Sequence, residues 1–285
     1  MNNHVSVIVP VYNGASTLVR CLESLASQTY SNYEVIVVDN NSTDKSKDII
    51  NSYENRNKKF RYIFESKKSR GNARNTGIKN AKGEILLFTD ADCIVPNDWI
   101  GVLIRTINQG AHAATGGSVD LVNNYWTKNV QFFDSKFNKK LTSNGLIDHV
   151  DTKNFAIKSE LIKGLMFDGS LGAMEDFEFY LRLKKKNIAI NFLSEVEVGH
   201  HHNSSFSKVI KLNFIRGFWV AKIYQKHHKN LHQKELMFTT ISVINFISAP
   251  LWYVVQLATS PRRFPYIISS DLAWRLGIIW AQIVK

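Results

Sequence analysis

The chain is 285 residues long, carries a formal charge of +12 at pH 7 and contains two cysteines. This length allows one large domain, or one and a half, with an ample core, and two cysteines exclude a disulfide framework and fit a reducing compartment. A basic block at residues 198–234 has seven lysines and arginines and no acidic residue, and it points as readily to anionic lipid as to nucleic acid.

Strands and helices alternate regularly through the first 110 residues. Short apolar runs predict strands at residues 5–9, 34–39, 60–64 and 85–89. Helical periodicity predicts helices between these strands, at residues 16–27, 43–53 and 71–81. This order predicts an α/β fold with a Rossmann-like, mostly parallel sheet and flanking helices.

The pattern is less regular after residue 111. Extended segments are expected at residues 113–122, 152–157, 189–193 and 196–200. Helical patterns follow at residues 175–186 and 205–229, and the aromatic stretch at 125–138 is helical or irregular. Two apolar stretches at residues 236–259 and 266–284 end the sequence.

Two common uses of such a sheet are excluded by the turn after the first strand. A nicotinamide-binding domain needs a Gly-x-Gly-x-x-Gly turn there, and this sequence has PVYNGA at residues 10–15. The Gly-Lys-Ser/Thr ending of a P-loop does not occur anywhere in the chain. The sheet must therefore bind its ligand through other residues.

Asp90 and Asp92 directly follow the buried strand predicted at residues 85–89. Open α/β sheets bind ligands at the carboxyl ends of their strands. Two carboxylates this close need a cation, and oxygen ligands suit Mg²⁺ or Mn²⁺ bridging to substrate phosphates. The alternative is a solvated turn whose aspartates only cap the next helix.

Four segments occur in a specific order along the chain. They are VSVIVPVYN at residues 5–13, VVDNNSTD at 37–44, ARNTGI at 73–78 and DAD at 90–92. Together they resemble the family 2 glycosyltransferases with the GT-A fold, over roughly residues 4–202. The resemblance implies inverting transfer of a sugar from a UDP-, GDP- or dTDP-sugar, with Mn²⁺ or Mg²⁺ on the diphosphate.

The resemblance also implies a set of nucleotide-binding residues. By match to the family's motifs these are Pro10, Val11, Tyr12, Asn13, Asp39, Arg70, Arg74, Asp90 and Ala91. Asp39 would accept a hydrogen bond from the base, although an Asx-turn is an alternative for it. Arg70 and Arg74 could clamp phosphate or base, and Arg74 could instead be a structural partner of the acidic site.

An inverting transfer needs a base for the acceptor hydroxyl and, in this family, a histidine can complete the metal site. The Glu-Asp pair at the start of the predicted helix resembles the family's motif, so Asp176 is the expected base and Glu175 the reserve. The expected metal ligands are Asp92 and Asp90 with His200, and His202 is the reserve. A solvated trio of histidines at residues 200–202 is the alternative.

These expectations divide the chain into a catalytic domain at residues 1–203 and a helical, membrane-associated region at 204–285. Residues 1–110 would form the nucleotide-binding half and 111–203 the acceptor-binding half. The expected partners are a nucleotide-sugar, a glycan or lipid-linked acceptor and an anionic membrane surface, but no nucleic acid.

The expected location is the cytoplasmic face of the cell membrane, with peripheral or re-entrant attachment and a true span at residues 236–259 as the alternative. The rival functions are a nucleotidyltransferase and a non-catalytic nucleotide-sugar or lipid-binding protein.

Overall fold

The computed structural model describes residues 3–201, 205–227 and 243–284. Within them, one sheet contains the strands β1 Val5–Val11, β2 Tyr33–Asp39, β3 Phe60–Phe64, β4 Ile85–Phe88, β5 Cys93–Ile94, β6 Ala113–Asp120, β7 Thr142–Ser143, β8 Leu146–Ile147, β9 Phe155–Lys158 and β10 Ile190–His200. The helices are α1 Leu18–Ala26, α2 Ser46–Arg56, α3 Arg70–Asn80, α4 Trp99–Asn108, α5 Tyr125–Leu141, α6 Ser159–Lys163, α7 Glu175–Lys185, α8 Phe206–His227, α9 Val243–Thr259 and α10 Phe264–Ile283.

The strand order is β3-β2-β1-β4-β9-β6-β10-β8-β7, and β5 pairs with β10. The first four strands are mutually parallel, as their sequence predicts. Strand β9 is antiparallel to both of its neighbours, β4 and β6, and it joins the two halves of the sheet. The predicted α/β fold with a mostly parallel sheet and flanking helices is confirmed.

The central strands are buried because helices cover both faces of the sheet. All seven residues of β2 and all four of β4 are buried, which explains why these strands read as continuous apolar runs. Helix α3 approaches β1 closely at Gly77, where an added Cβ would lie 2.4 Å from Cγ2 of Ile8. A larger residue at position 77 would push the helix away from the sheet.

The two strands expected at residues 189–193 and 196–200 are one strand, β10, with a register irregularity between Leu193 and Glu197. At this step the carbonyl of Val196 lies against Gly116 of β6, where an added Cβ would be 2.1 Å from the Val196 oxygen. The alternating pattern breaks at the irregularity, which is why the sequence predicts two strands instead of one. Strand β9 begins at Phe155, later than the predicted 152.

The chain divides into two compact units, one of residues 1–123 and 131–202 and one of residues 124–130 and 203–285. In the second unit α8 packs against α10 through glycines. An added Cβ at Gly217 would lie 2.0 Å from the Trp274 carbonyl oxygen, and one at Gly277 would lie 2.0 Å from the Phe214 carbonyl oxygen. The C-terminal helical extension is therefore present.

No helix in the described parts of the chain is long and apolar enough to cross a bilayer. The span considered at residues 236–259 falls partly outside the described residues, as do the last residues of the helix predicted at 205–229. Several apolar side chains of the described C-terminal helices are exposed to solvent, among them Leu251, Val254, Leu276 and Ile283.

Candidate active site

The ends of β1, β2 and β4 bring three predicted segments to one edge of the sheet. Val11 at the end of β1 is in register with Asp39 at the end of β2, and Ile8 is in register with Phe88 at the end of β4. The loops that follow these strands therefore leave the sheet side by side. Pro10 in β1 and Ala91 in the loop after β4 are half-buried, and an added Cβ at Gly14 would lie 3.5 Å from Cβ of Ala91.

Hydrogen bonds tie the loop after β1 to the loop after β2. The backbone N–H of Asn13 donates to Oγ of Ser42 at 3.0 Å, and the N–H of Thr43 donates to Oδ1 of Asn13 at 2.8 Å. Asn13 has a positive φ of 51°, which asparagine tolerates better than most residues. Tyr12 projects from this loop with 54% of its surface exposed.

The ammonium group of Lys68 lies over the exposed ring of Tyr12. Its ammonium nitrogen lies 4.9 Å from the ring centroid and 3.3 Å from the hydroxyl oxygen, a cation–π arrangement. Tyr12 and Lys68 thus form an exposed aromatic and cationic pair at the sheet edge. Such a pair can contact both a base and a phosphate.

Asp39 is 2% exposed, and both of its carboxylate oxygens accept hydrogen bonds within the protein. Oδ1 accepts from the backbone N–H of Ser42 at 2.9 Å, and Oδ2 accepts from the hydroxyl of Tyr62 at 3.3 Å. The first bond is the turn-forming contact that the sequence offers as the alternative role for Asp39. A role in reading the nucleotide base stays a prediction.

Arg74 lies between two acidic residues of the predicted site. Its side chain is 1% exposed, its Nη2 donates to Oδ1 of Asp90 at 3.0 Å, and its Nη1 donates to Oε1 of Glu175 at 2.5 Å. The geometry favours a structural partnership over a phosphate clamp for Arg74, because each terminal nitrogen already holds a carboxylate. Arg70 is exposed at the start of α3.

Glu175 and Asp176 begin α7 after Met174, whose φ is 63°. Burial alone would raise the pKa of Glu175, but the charges of Arg74 and Arg70 hold that pKa below its ordinary value. Burial raises the pKa of Asp176, and the neighbouring Glu175 carboxylate raises it further. The pKa values of these two adjacent carboxyl groups are thus shifted in opposite directions. Such a difference occurs in active sites where one carboxyl group acts as an acid and another as a base.

Asp92 and His200 approach each other although 108 residues separate them in sequence. The distance from Nε2 of His200 to Oδ2 of Asp92 is 3.3 Å. Burial alone would raise the pKa of Asp92, but the hydrogen bond and charge of His200 keep that pKa below its usual value. His200 ends β10, so the strand itself brings the imidazole to this edge; His202 lies outside the described residues.

The donor set at this position fits a divalent cation. A carboxylate oxygen and an imidazole nitrogen 3.3 Å apart could both turn to one ion, and such oxygen and nitrogen donors suit Mn²⁺ when substrate phosphates and water complete the shell. Asp90 is held by Arg74 at 3.0 Å. The structure therefore pairs Asp92 with His200 and pairs Asp90 with Arg74.

Four further polar residues lie beside the predicted site. The sulfur of Cys93 lies 3.8 Å from Oδ1 of Asp92, and Asp120 is in register with His200 across β6 and β10. Burial raises the pKa of Asp120 to about 6. Lys153 forms a 2.8 Å ion pair with Asp151, which lowers the pKa of Asp151 to about 2 against the effect of burial.

Asp120 and Asp151 belong to none of the motifs that the sequence offers. Asp120 lies inside the strand predicted at residues 113–122 and is the last residue of β6, so a search of the strand ends would have found it once the end of β6 was known. The ion pair of Asp151 and Lys153 has no such signal, because it forms in the turn before β9 and depends on the tertiary fold.

The model of glycosyl transferase family 2 matches residues 6–165 of the chain. This protein belongs to glycosyl transferase family 2. It is 28% identical to glycosyltransferase AglE of Haloferax volcanii over 94% of this chain and 84% of that protein. The chain is thus a glycosyltransferase, and the fold and family implied by the four sequence segments are confirmed.

Solved structures share this fold at low sequence identity. A mannosyltransferase of Pyrobaculum calidifontis in complex with GDP-Man and Mn²⁺ has a TM-score of 0.73 at 16% identity, over 98% of this chain and 87% of that chain. Residues 1–349 of S. aureus TarS in complex with UDP-GlcNAc have a TM-score of 0.55 at 17% identity, over 96% and 89%. Both neighbours were solved with nucleotide-sugars bound.

Proposed function

We propose that this glycosyltransferase moves a sugar from a nucleotide-diphosphate donor to a glycan or lipid-linked acceptor by a metal-assisted single displacement with inversion. The observation that carries the proposal is the contrast between neighbouring acids. Arg74 holds Glu175 as a carboxylate, while burial and Glu175 raise the pKa of Asp176. An enzyme base works best when its pKa approaches the working pH.

Asp176 takes the proton from the acceptor hydroxyl in this mechanism. The hydroxyl oxygen attacks the anomeric carbon, and the bond from that carbon to the diphosphate oxygen breaks on the opposite side. One displacement of this kind inverts the anomeric configuration. Glu175 remains bound to Arg74 at 2.5 Å, so it supports the start of α7 and does not compete for the proton.

Asp92 and His200 would hold the divalent ion, Mn²⁺ or Mg²⁺. When bound, this ion neutralises charge on the departing diphosphate. The donor spacing of 3.3 Å supports this assignment, and so does the Mn²⁺ named with the Pyrobaculum calidifontis neighbour. Tyr12 and Lys68, with the loops after β1 and β2, would contact the nucleotide.

A donor screen tests the proposal. Full-length protein is incubated with UDP-, GDP- or dTDP-sugars and Mn²⁺, and release of nucleoside diphosphate is measured with and without a chelator. We expect one nucleotide class to be hydrolysed or transferred, and the chelator to abolish the reaction. A product with retained anomeric configuration, or full activity in the chelator, would contradict the single-displacement mechanism or the metal requirement.

The second unit is proposed to attach the enzyme to an anionic membrane surface on the cytoplasmic side. Exposed apolar side chains on α9 and α10 include Leu251 and Ile283, and Arg262 and Arg263 lie between these helices. Exposed apolar side chains and arginines in the same unit supply the two signals that stable peripheral attachment needs.

A further inference from the structure

Cys93 adds a sulfur ligand to the cation site of Asp92 and His200. The carboxylate oxygen, the imidazole nitrogen and the Cys93 sulfur all lie within 4.8 Å of one another. Cys93 of β5 is in direct register with His200 of β10 in an antiparallel pair. Directly opposed residues of such a pair project to the same face of the sheet, so the strand pairing itself brings sulfur and imidazole together.

We propose that Asp92, Cys93 and His200 form a high-affinity site for a thiophilic divalent cation such as Zn²⁺ or Co²⁺, and that this ion competes with Mn²⁺. The proposal rests on the proposed function only in taking Asp92 and His200 as the ligands of the activating cation. What it adds is the third ligand and the selectivity that a thiolate brings. Zn²⁺ sites with three protein ligands keep one position open.

The distances fit a tetrahedral ion with small adjustments. Usual zinc–ligand lengths place neighbouring ligand atoms of a tetrahedral site about 3.3 to 3.6 Å apart. Nε2 of His200 is already 3.3 Å from Asp92, and the Cys93 sulfur is 3.8 Å from the other oxygen of that carboxylate. Closing the set needs a rotation of the Asp92 side chain, which is 41% exposed, and a shift of the His200 ring and the Cys93 side chain toward each other, since their ligand atoms lie within 4.8 Å.

The site discriminates between cations by the hardness of the ligands. Mn²⁺ prefers oxygen and nitrogen in six-coordinate shells, so it would use Asp92 and His200 and take several further oxygens from diphosphate and water. Zn²⁺ and Co²⁺ bind thiolate well, and the sulfur releases its proton to solvent as it coordinates. With three positions filled by protein, a tetrahedral ion leaves one position for the diphosphate. Binding of Zn²⁺ or Co²⁺ at this site therefore inhibits transfer.

Because the chain has two cysteines, a metal–thiolate signal can be assigned to one of them by substitution. Cys21 and Cys93 are the two cysteines of the chain, and both are buried. A sulfur-to-cobalt charge-transfer band in the near ultraviolet therefore comes from one of these two residues. Cys21 donates its S–H to the Asp90 carbonyl at 3.4 Å and contributes no atom to the cation group. Cys21→Ser is thus the matched control for Cys93→Ser.

Metal-free, full-length protein is titrated with Co²⁺, and Zn²⁺ and Mn²⁺ affinities are then measured by competition. We expect the thiolate band in the wild type and in Cys21→Ser, and its loss in Cys93→Ser. The ratio of the Zn²⁺ affinity to the Mn²⁺ affinity should fall by about 10-fold to 100-fold in Cys93→Ser. Losses of this size are usual even when the changed residue only hydrogen-bonds to a metal ligand. His200→Gln should also lose the band.

The wild-type titration can overturn the inference even if no variant folds. Saturating Co²⁺ without a thiolate band, or a band that survives in Cys93→Ser, would show that Cys93 is not a ligand. Failure of the proposed function has a different signature. If no nucleotide-sugar reacts but the Cys93-dependent band is present, the thiophilic site stands and the transfer mechanism falls.

Discussion

Glu175 and Asp176 are adjacent in sequence, yet their surroundings shift their pKa values in opposite directions. The difference arises because Arg74 contacts Glu175 at 2.5 Å, whereas at Asp176 burial and the charge of Glu175 outweigh the effect of Arg74. At the scale of single residues, the chemistry thus depends on which acid the arginine holds. The same logic applies to Asp90, which Arg74 binds, and Asp92, which His200 contacts.

Asp176→Asn should keep nucleotide binding and lower transfer by a factor on the order of 10² to 10⁴, the usual contribution of a general base. Nucleotide affinity is measured by calorimetry and transfer by steady-state kinetics. Glu175→Gln serves as the comparison. If Glu175→Gln removed transfer while Asp176→Asn stayed active, the roles within the pair would be reversed.

The pH dependence of the wild type should show the raised pKa of Asp176. A base must be deprotonated to act, so kcat/KM rises with pH through this pKa. Because the Asp176 pKa is raised above the ordinary 3.8, the acid limb should lie at higher pH than an unperturbed aspartate would give. A profile of kcat/KM between about pH 3 and 9 measures it, since this range includes the pKa of an ordinary aspartate. An acid limb at the ordinary position would contradict this assignment.

Asp92→Asn should abolish metal-dependent donor binding and leave the protein folded. The side chain is 41% exposed, so its change costs little stability, whereas the loss of a carboxylate removes a ligand charge from the cation. Asp98→Asn, at an exposed aspartate whose side chain does not cap α4, is the control. Calorimetry with Mn²⁺ and nucleotide should give no binding in the first variant and unchanged binding in the second.

At the scale of secondary-structure elements, Arg74 joins α3 to the loop after β4 and to the start of α7. Its partners Asp90 and Glu175 lie 16 and 101 residues away in sequence. Removing the arginine from a buried ion pair leaves the carboxylates without their compensating charge. The resulting loss of folding free energy is larger than the net stabilisation that the intact pair provides. The arginine therefore supports the site and the fold together.

Arg74→Met should lower the free energy of unfolding by about 3 to 5 kcal/mol. Arg20→Met, at an exposed arginine of α1, should stay within about 0.5 kcal/mol of the wild type. Denaturant melts at several pH values measure both. The folded pKa of Glu175 is lowered, so its stabilising effect is present at neutral pH and lost as the pH falls through that pKa. The deficit of Arg74→Met should therefore shrink in acid; a deficit independent of pH would argue against the ion pair.

The periodicity of the sequence located β1 to β4 because strands buried on both faces read as apolar runs. Strands β7 and β8 have two residues each, too few to show any period. The position of β9 between β4 and β6 depends on long-range pairing that no local pattern encodes. The site shows the same division: strand ends indicated Asp90 and Asp92, whereas the Arg74 contacts require the tertiary fold.

At the scale of the whole molecule, the second unit presents apolar side chains to solvent. Leu251 is 72% exposed and Val254 is 63% exposed, and both belong to α9. The proposed transfer step makes no use of these side chains, whereas the proposed membrane attachment does. Surface attachment is therefore testable apart from catalysis.

The double variant Leu251→Ser, Val254→Ser should bind anionic vesicles more weakly. Two inserted apolar side chains at about 1.5 kcal/mol each amount to about 3 kcal/mol, or roughly a hundredfold in partitioning. Co-sedimentation with phosphatidylserine vesicles measures this. Val19→Ser, at a 40% exposed valine of α1, is the control. Wild-type protein that ignores such vesicles at low salt would refute membrane attachment.

The site contacts also determine when this enzyme can become active during its own synthesis. Strands β1 to β4 pair within the first 88 residues, so that region can organise while the chain is still growing on the ribosome. His200 is synthesised 108 residues after Asp92, and Glu175 is synthesised 101 residues after Arg74. A nascent chain can therefore form this edge of the sheet long before the proposed base and the proposed cation site are complete.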